Sequence, residues 1–472
     1  MDRSKHQQRV LLATSISYVI VILDTSIVNV GLERIAESLA GGIAGLQWVV
    51  TAYTLTFASL LLTGGTLVDR QGARNVYVAG LLAFTVASAL CGVAQSLALL
   101  VAGRILQGAG AALLVPASMT LINDTWPNPR ERAAVFGLWA GLGGVAMASG
   151  PLIGGLLIGS IGWRSIFLVN VPICVAGVVL ALRVRIAEPV SPLATKRSFD
   201  VAGQIAGIAA LALLNLVVIA APHYGWGSPV IIGCSVAALT AGVAFIAIEA
   251  SRFQPMMPLD LFRNAVFSGA AWVSMVSAFT FYGLMFDLSL LFQRQLGYSP
   301  MHAGLAFLPL TIVVPIGSLL SKRAAGWFGE KGLVAGAFLL AAAGYLSLMA
   351  LGASAPYAWL ALPLPAIGLA ASLITPATTA AMMASVERDR SGIAAGVLNA
   401  ARQMGALLGV ALSGSLIAAH PQIGDGMRWS VLIAGVLSAS AGVIWWRALT
   451  RSPAVCSPAP VSDVLSRKRP MQ

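Results

Sequence analysis

An all-helical, polytopic membrane fold with fourteen crossings is what this sequence predicts, and three observations predict it. Of 472 residues, 58% are hydrophobic and only 10% charged, which is more apolar surface than a water-soluble chain can bury. Apolar segments close to 20 residues long recur along nearly the whole chain, the length a helix needs to cross the hydrocarbon of a bilayer. The 29 Lys and Arg residues fall almost wholly in alternate loops, which is an orientation signal rather than a nucleic-acid footprint, despite a net charge of +12.

The segments lie at about 10–30, 47–68, 76–94, 98–120, 133–158, 165–182, 201–221, 228–249, 266–291, 302–320, 332–352, 357–380, 392–418 and 429–447. Backbone polar groups in lipid must be satisfied internally, and these lengths suit helices, not barrel strands. The first run is too long, and lacks a small-residue cleavage site, to be a signal peptide, so it is read as a span. Basic residues of the N-terminal tail share a side with Arg70 and Arg74, Arg130 and Arg132, Arg183, Lys322 and Arg323, Arg388 and Arg390, and the C-terminal tail. Opposite loops hold Arg34, Arg164, Arg294 and Arg428. Both termini are therefore expected in the cytoplasm, which requires an even number of spans.

The chain repeats itself. Gly108 to Ser118 matches Gly368 to Thr378 with Gly and Pro116/Pro376 in register, and Val78-Ala79-Gly80 returns as Val334-Ala335-Gly336. Glu131-Arg132 returns as Asp389-Arg390, and Gly162-Trp163-Arg164 as Gly426-Met427-Arg428. Four ordered pairs, each eight helices apart, predict two six-helix bundles of the same orientation, a parallel repeat. The expected division is 1–185 and 262–450 for the bundles, 186–261 for a linker with two inserted helices, and 451–472 for a disordered, Pro/Ser-rich tail. Cys91, Cys174, Cys234 and Cys456 have no metal-ligand spacing and read as packing residues.

Four ionisable residues lie within spans: Asp24, Arg104, Asp287 and Arg402. A charge inside hydrocarbon costs at least ~2.5 kcal/mol, so each needs a partner, a proton or water. A rise of ~1.5 Å per helical residue puts Asp24 and Arg104 at matching depth, just outside the membrane centre. Desolvation raises a carboxylate's proton affinity and a neighbouring guanidinium lowers it; that competition can make protonation depend on the side from which water enters. A fixed ion pair between the first and fourth helices is the alternative. Asn29, an amide in the first span, joins the candidates for the substrate pathway. Asp287, near the outer end of its helix, either meets water or touches substrate. Arg402, beside Asn399 and Gln403, either lines the pathway as a gate or packs.

Gly65 to Asn75 joins the second and third helices, with Gly72 at the turn, Asp69 able to cap or pair, and Arg70 and Arg74 able to bridge helices. It reads as a conformational latch or as an ordinary basic turn. The fifth helix carries Gly150, Pro151, Gly154 and Gly155, which allow close helix approach and a bend.

Together these stretches resemble the major facilitator superfamily in its fourteen-helix drug:proton antiporter branch. The Gly65–Asn75 loop resembles the superfamily signature between helices 2 and 3. Arg104 with Gln107-Gly108-Ala109-Gly110 resembles the helix 4 motif, Gly150-Pro151-Leu152-Ile153-Gly154-Gly155 the antiporter motif of helix 5, and Leu23 to Val30 the first-helix signature. Trp163-Arg164 with Phe167, Asn170 and Pro172, Leu296 to Pro300, and Arg402-Gln403-Met404-Gly405 fit as well. The chain departs at Gly31-Leu32-Glu33, where the branch has Ala-Leu-Pro, at Asn75, and at Gly326 to Lys331, which lacks the Asp-Arg pair.

The resemblance implies a multi-pass protein of the cytoplasmic membrane, not an enzyme, that exports small, hydrophobic molecules such as drugs by alternating access. Its implied partners are substrate, protons and lipid, with no nucleic acid; it works as a monomer, with no cofactor or metal and a proton gradient as energy source. Asp24 would bind the returning proton and Arg104 tune its affinity. The rival readings are a dedicated exporter of one metabolite or antibiotic, a transporter-shaped sensor, and a lipid-modifying enzyme; scattered His6, His223, His302 and His420 speak against the last.

Overall fold

A computed structural model describes residues 3–183, 200–252, 257–353, 355–387 and 390–450. Most of the linker expected after residue 185, Asp389 of one repeat pair, and the tail 451–472 with Cys456 lie outside them. The described chain is helical throughout, without strands among the described residues.

The first seven helices are α1 (Arg3–Leu39), α2 (Ile43–Gln71), α3 (Ala73–Gly92), α4 (Leu97–Thr125), α5 (Pro129–Ser160), the single turn α6 (Ser165–Leu168) and α7 (Asn170–Leu182). Their boundaries follow local chemistry. Ser96 caps α4 by accepting from the Leu99 amide at 3.3 Å. Gly72 (φ +84°) ends α2 and starts α3 in a conformation that a side chain would strain.

Helices α8 (Val201–Tyr224) and α9 (Pro229–Ser251) follow, capped by Asp200 and Ser228. They pack on each other, and α8 also lies against α2 and, beyond them, α16 (Ser391–Ala418). Next come α10 (Ala265–Leu290), extended by a π turn (Leu291–Gln295), then α11 (Pro300–Ala306), α12 (Leu308–Thr311), α13 (Val313–Leu351), α14 (Tyr357–Ala361), α15 (Leu364–Ala384), α16, and α17 (Ile423–Thr450).

Thirteen helical stretches are long and apolar enough to cross a membrane, one of them running 52 residues from Pro300 to Leu351. At ~1.5 Å per residue that stretch is more than twice the ~30 Å of a hydrocarbon core. It breaks at Gly329, whose φ of +68° and ψ of 158° interrupt the helix. The break makes two crossings of one stretch, giving the fourteen that the hydropathy pattern predicts.

Within this arrangement α2 and α3 pack on α4, α1 on α5, α10 on α16 and α17, and α13 on α15 and α17. The repeated motif explains two of these approaches. A Cβ at Gly108 would stand 2.5 Å from the Tyr53 carbonyl oxygen, and one at Gly368 would collide with the Leu310 carbonyl. Both glycines let a neighbouring backbone come where no side chain fits.

Gly108→Val and Gly368→Val should each destabilise the purified protein, by about 1–3 kcal/mol on the usual cost of overpacking. A Gly336→Val control, at a position with nothing within 4 Å of the added carbon, should leave the melting temperature in detergent unchanged.

Candidate functional site

A charged cluster lies where α1, α4 and α7 meet. Asp24 on α1 is fully buried, and Arg104 on α4 is 1% exposed. Arg104 Nη1 donates to Asp24 Oδ2, closing a buried ion pair. Asp24 Oδ1 accepts from Gln107 Nε2 at 3.2 Å and from Asn170 Nδ2 at 3.1 Å. The guanidinium is satisfied further: Nη1 donates to Gln107 Oε1 at 2.8 Å and Nε to the Val49 carbonyl at 3.0 Å. Its planar face lies 4.4 Å from the centre of the Tyr53 ring, and Phe167 is 5.8 Å away, a geometry in which the ring quadrupole stabilises the cation. Gln107 donates its second hydrogen to Ser88 Oγ at 2.8 Å.

Local sequence builds this cluster. Arg104 and Gln107 are three apart on α4 and so share a face. Asn170 is the first residue of α7, placed by the break between the short α6 and α7. The sequence argument named Asp24 and Arg104 but assigned no role to Gln107, Asn170 or Ser88. Gln107 was legible from its i+3 spacing to Arg104. Asn170 and Ser88 carry no spacing signal, because they reach Asp24 and Gln107 from other helices.

Asn29 faces elsewhere. Its amide nitrogen donates to the Thr25 carbonyl of its own helix at 3.1 Å, while its backbone carbonyl accepts from Ser289 Oγ on α10.

Asp287 does not sit in water at a helix end; it is fully buried. One oxygen accepts from Ser430 Oγ at 2.6 Å, with Ser413 Oγ next in line 2.8 Å from Ser430. The other oxygen has no protein partner. Asp24 on α1 and Asp287 on α10 are the acids of helices eight crossings apart. At the 260-residue spacing that relates Gly108 to Gly368, Arg104 and Gln107 of α4 correspond to Leu364 and Ile367 of α15. The repeat of the Arg104 segment thus carries no cation.

Arg402 and Gln403, on α16, are both half-buried. Arg402 Nη2 donates to the Thr375 carbonyl at 3.0 Å and to Thr379 Oγ1 at 2.6 Å. Tyr18 on α1 and Tyr282 on α10 lie near enough to act on its charge. All three side chains are half-buried. Tyr18 stacks on Trp139 of α5 with ring centres 3.6 Å apart.

In the α2–α3 loop, Arg74 donates through Nη2 and Nε to the last carbonyls of α7, Leu182 at 2.9 Å and Ala181 at 3.3 Å. A cation on a helix C-terminus opposes the negative end of its dipole. Asp69 and Arg70 are also engaged by partners, and Gly65 has open space around it. On α5, added Cβ atoms at Gly150 and Gly154 would meet Ser26 and Ile27 of α1. A Cβ at Gly155 would stand 2.6 Å from the Pro300 carbonyl, and Gly304 seats the Pro151 carbonyl in return. This stretch therefore joins the first six spans to the last six.

No three His, Cys, Asp or Glu side chains converge on a possible metal position among the described residues.

Residues 14–410 match the Major Facilitator Superfamily. The chain belongs to that superfamily. It is therefore a transporter rather than an enzyme, and a multi-pass protein of the inner membrane. It is 37% identical over 438 residues to a methylenomycin A resistance protein of Bacillus subtilis (strain 168), covering 93% of each chain. It is 35% identical over 439 residues to the protein of that name from Streptomyces coelicolor, covering 93% and 92%. The multidrug resistance protein Stp of Mycobacterium tuberculosis is 35% identical over 420 residues, 88% of this chain and 77% of that one. Among solved structures, an auto-inhibited peptide transporter of the POT family superimposes with a TM-score of 0.70 at 15% identity, covering 96% and 99% of the two chains; that likeness carries the fold alone.

Removing the cation from the cluster leaves a buried carboxylate uncompensated. Arg104→Met should cost about 3–5 kcal/mol of stability, read as a lower thermal midpoint in detergent, and adding Asp24→Asn to it should restore most of the loss.

Proposed function

We propose that this transporter is a proton-coupled antiporter that exports small, largely apolar molecules such as drugs from the cytoplasm by alternating access. The observation that carries the reading is the Asp24 carboxylate, caged by Arg104, Gln107 and Asn170 in a dry interior. In this cage the bare carboxylate is stabilised by one full charge and two amide donors. A shift of α1 against α4 that separates Asp24 from Arg104 removes the charge and leaves desolvation unopposed, so the acid then takes a proton. Proton binding and helix position are thereby linked. A proton moving inward down a membrane potential supplies ~2.3 kcal/mol per 100 mV, a driving force for uphill export.

The resistance and efflux proteins to which the chain is similar support drug export. A dedicated exporter of one antibiotic fits the same cage; a panel of compounds tested on a deletion strain separates the two. With both termini cytoplasmic, as the basic loops imply, the conformation described is closed toward the outside. There Gln47 of α2 donates to the Ala411 carbonyl of α16 at 2.6 Å and to Ser415 Oγ at 3.4 Å. Arg294 pairs with Glu33, and Ser289 bonds the Asn29 carbonyl. The half-buried side chains of Tyr18, Tyr282 and Arg402 would then line a path that opens to the cytoplasm and receives substrate.

In proteoliposomes with an internal pH dye, Asp24→Asn should abolish substrate-driven proton movement while the protein still inserts and purifies normally; wild-type coupling in this variant refutes the reading. Alternating access has its own check. With the native cysteines replaced by serine, the pair Gln47→Cys and Ser415→Cys should cross-link under oxidation and halt transport, and reductant should restore it.

A further inference from the structure

We propose that Arg402 is an anion-recognition point of the transport pathway, and that the exported molecule carries a carboxylate or similar acidic group on an apolar, ring-bearing body. The inference rests on the transport reading and names the substrate class for it.

The molecule holds two arginines deep within its spans, and they are treated differently. Arg104 is closed off from water and paired with Asp24. Among the described residues Arg402 is paired with no acid: its bonds go to a carbonyl and a hydroxyl of α15, both neutral, and use Nη2 alone. The titratable groups that face it are Tyr18 from α1 and Tyr282 from α10, both phenols. Asp24 is already committed to Arg104, and Asp287 bonds Ser430. A guanidinium in the protein interior without a counter-ion is costly, and cost of this kind falls when a ligand brings the opposite charge. The Nε and Nη1 hydrogens of Arg402 remain to meet it.

The walls beside that charge describe the rest of the ligand. Tyr18 and Trp139 form a stacked pair, with Phe136 edge-on to Trp139 at 6.2 Å between ring centres. Trp139 is buried against Tyr18, so the half-buried Tyr18 ring is the face left to take a flat apolar group, by area and by ring geometry. Arg402 and Tyr282 come from the last six spans, Tyr18 and Trp139 from the first six. A ligand bridging acid end and ring end touches both bundles, which is the position a transported molecule must occupy. Amines meet the same site with the wrong sign, because the low-dielectric walls focus the field of the single cation.

The test uses the full-length protein purified in detergent and three matched series: benzoate, 1-naphthoate and pyrene-1-carboxylate, each with its amide and its aminomethyl analogue. Binding is read by tryptophan fluorescence and by thermal shift. The expected result is at least tenfold tighter binding of the acid than the amide in one or more series, with the amine weakest. Arg402→Gln should erase that preference by weakening the acid while leaving the amide unchanged, and Arg402→Lys should keep part of it. No acid preference in any series, or a preference that survives Arg402→Gln, overturns the proposal. Should Arg402→Gln fail to fold, the wild-type comparison and Arg402→Lys still decide it. Because the readout is binding, a failure of proton coupling appears separately, in the Asp24→Asn flux experiment.

Discussion

A carboxylate held away from water is the constraint on which the rest of this molecule turns. Asp24 can remain charged in the interior because Arg104 neutralises it and two amides saturate its second oxygen. Each of those donors comes from a particular helix, so the cage fixes how α1, α4 and α7 meet. The demand propagates outward, since Arg104 itself needs the Val49 carbonyl and the Tyr53 ring, which bring in α2. Four of the first six crossings are thus tied to one acid. A buried pair of this kind adds little net stability over apolar packing; what it adds is a geometry that breaks if one helix slides.

The two bundles have spent their charges differently. The first contains an acid and a base bonded to each other. The second contains a buried acid, Asp287, bonded to a serine, and a half-buried base, Arg402, whose bonds go to a carbonyl and a hydroxyl. The glycines at 108 and 368 serve the same close approach to a neighbouring backbone. The ionisable groups do not share that symmetry. Backbone contact is a requirement of the fold, whereas intramembrane charge is tolerated only where a function or a partner sustains it.

The contacts between the bundles use the same logic at larger scale. On α5, Gly155 and the Pro151 carbonyl lock against Pro300 and Gly304, a bare-backbone contact with no side chain to repack. The inserted α8 bonds α2 through Gln204 and Asn215, and its Val218 carbonyl accepts from Ser415 of α16. It therefore lies across the seam that Gln47 also crosses, so any rocking of one bundle against the other must remake these bonds.

Hydropathy, loop charge and internal repetition determined much of this from sequence alone: fourteen crossings, the matched depth of Asp24 and Arg104, and the glycines that bring helices together. These are legible because each depends on spacing along one helix or on the cost of burying a polar group, which is the same wherever the helix sits. The reach of Asn170 to Asp24, the burial of Asp287 and the approach of Tyr18 and Tyr282 to Arg402 were not legible. Asp287 looks shallow when depth is counted along α10, yet α16 and α17 cover it. Asn170 and Ser88 are unremarkable residues in apolar helices until the fold turns them toward Asp24 and Gln107. Which side chains meet across helices depends on the rotation of each helix about its own axis. Packing against all the neighbours sets that rotation, and only the tertiary structure decided it.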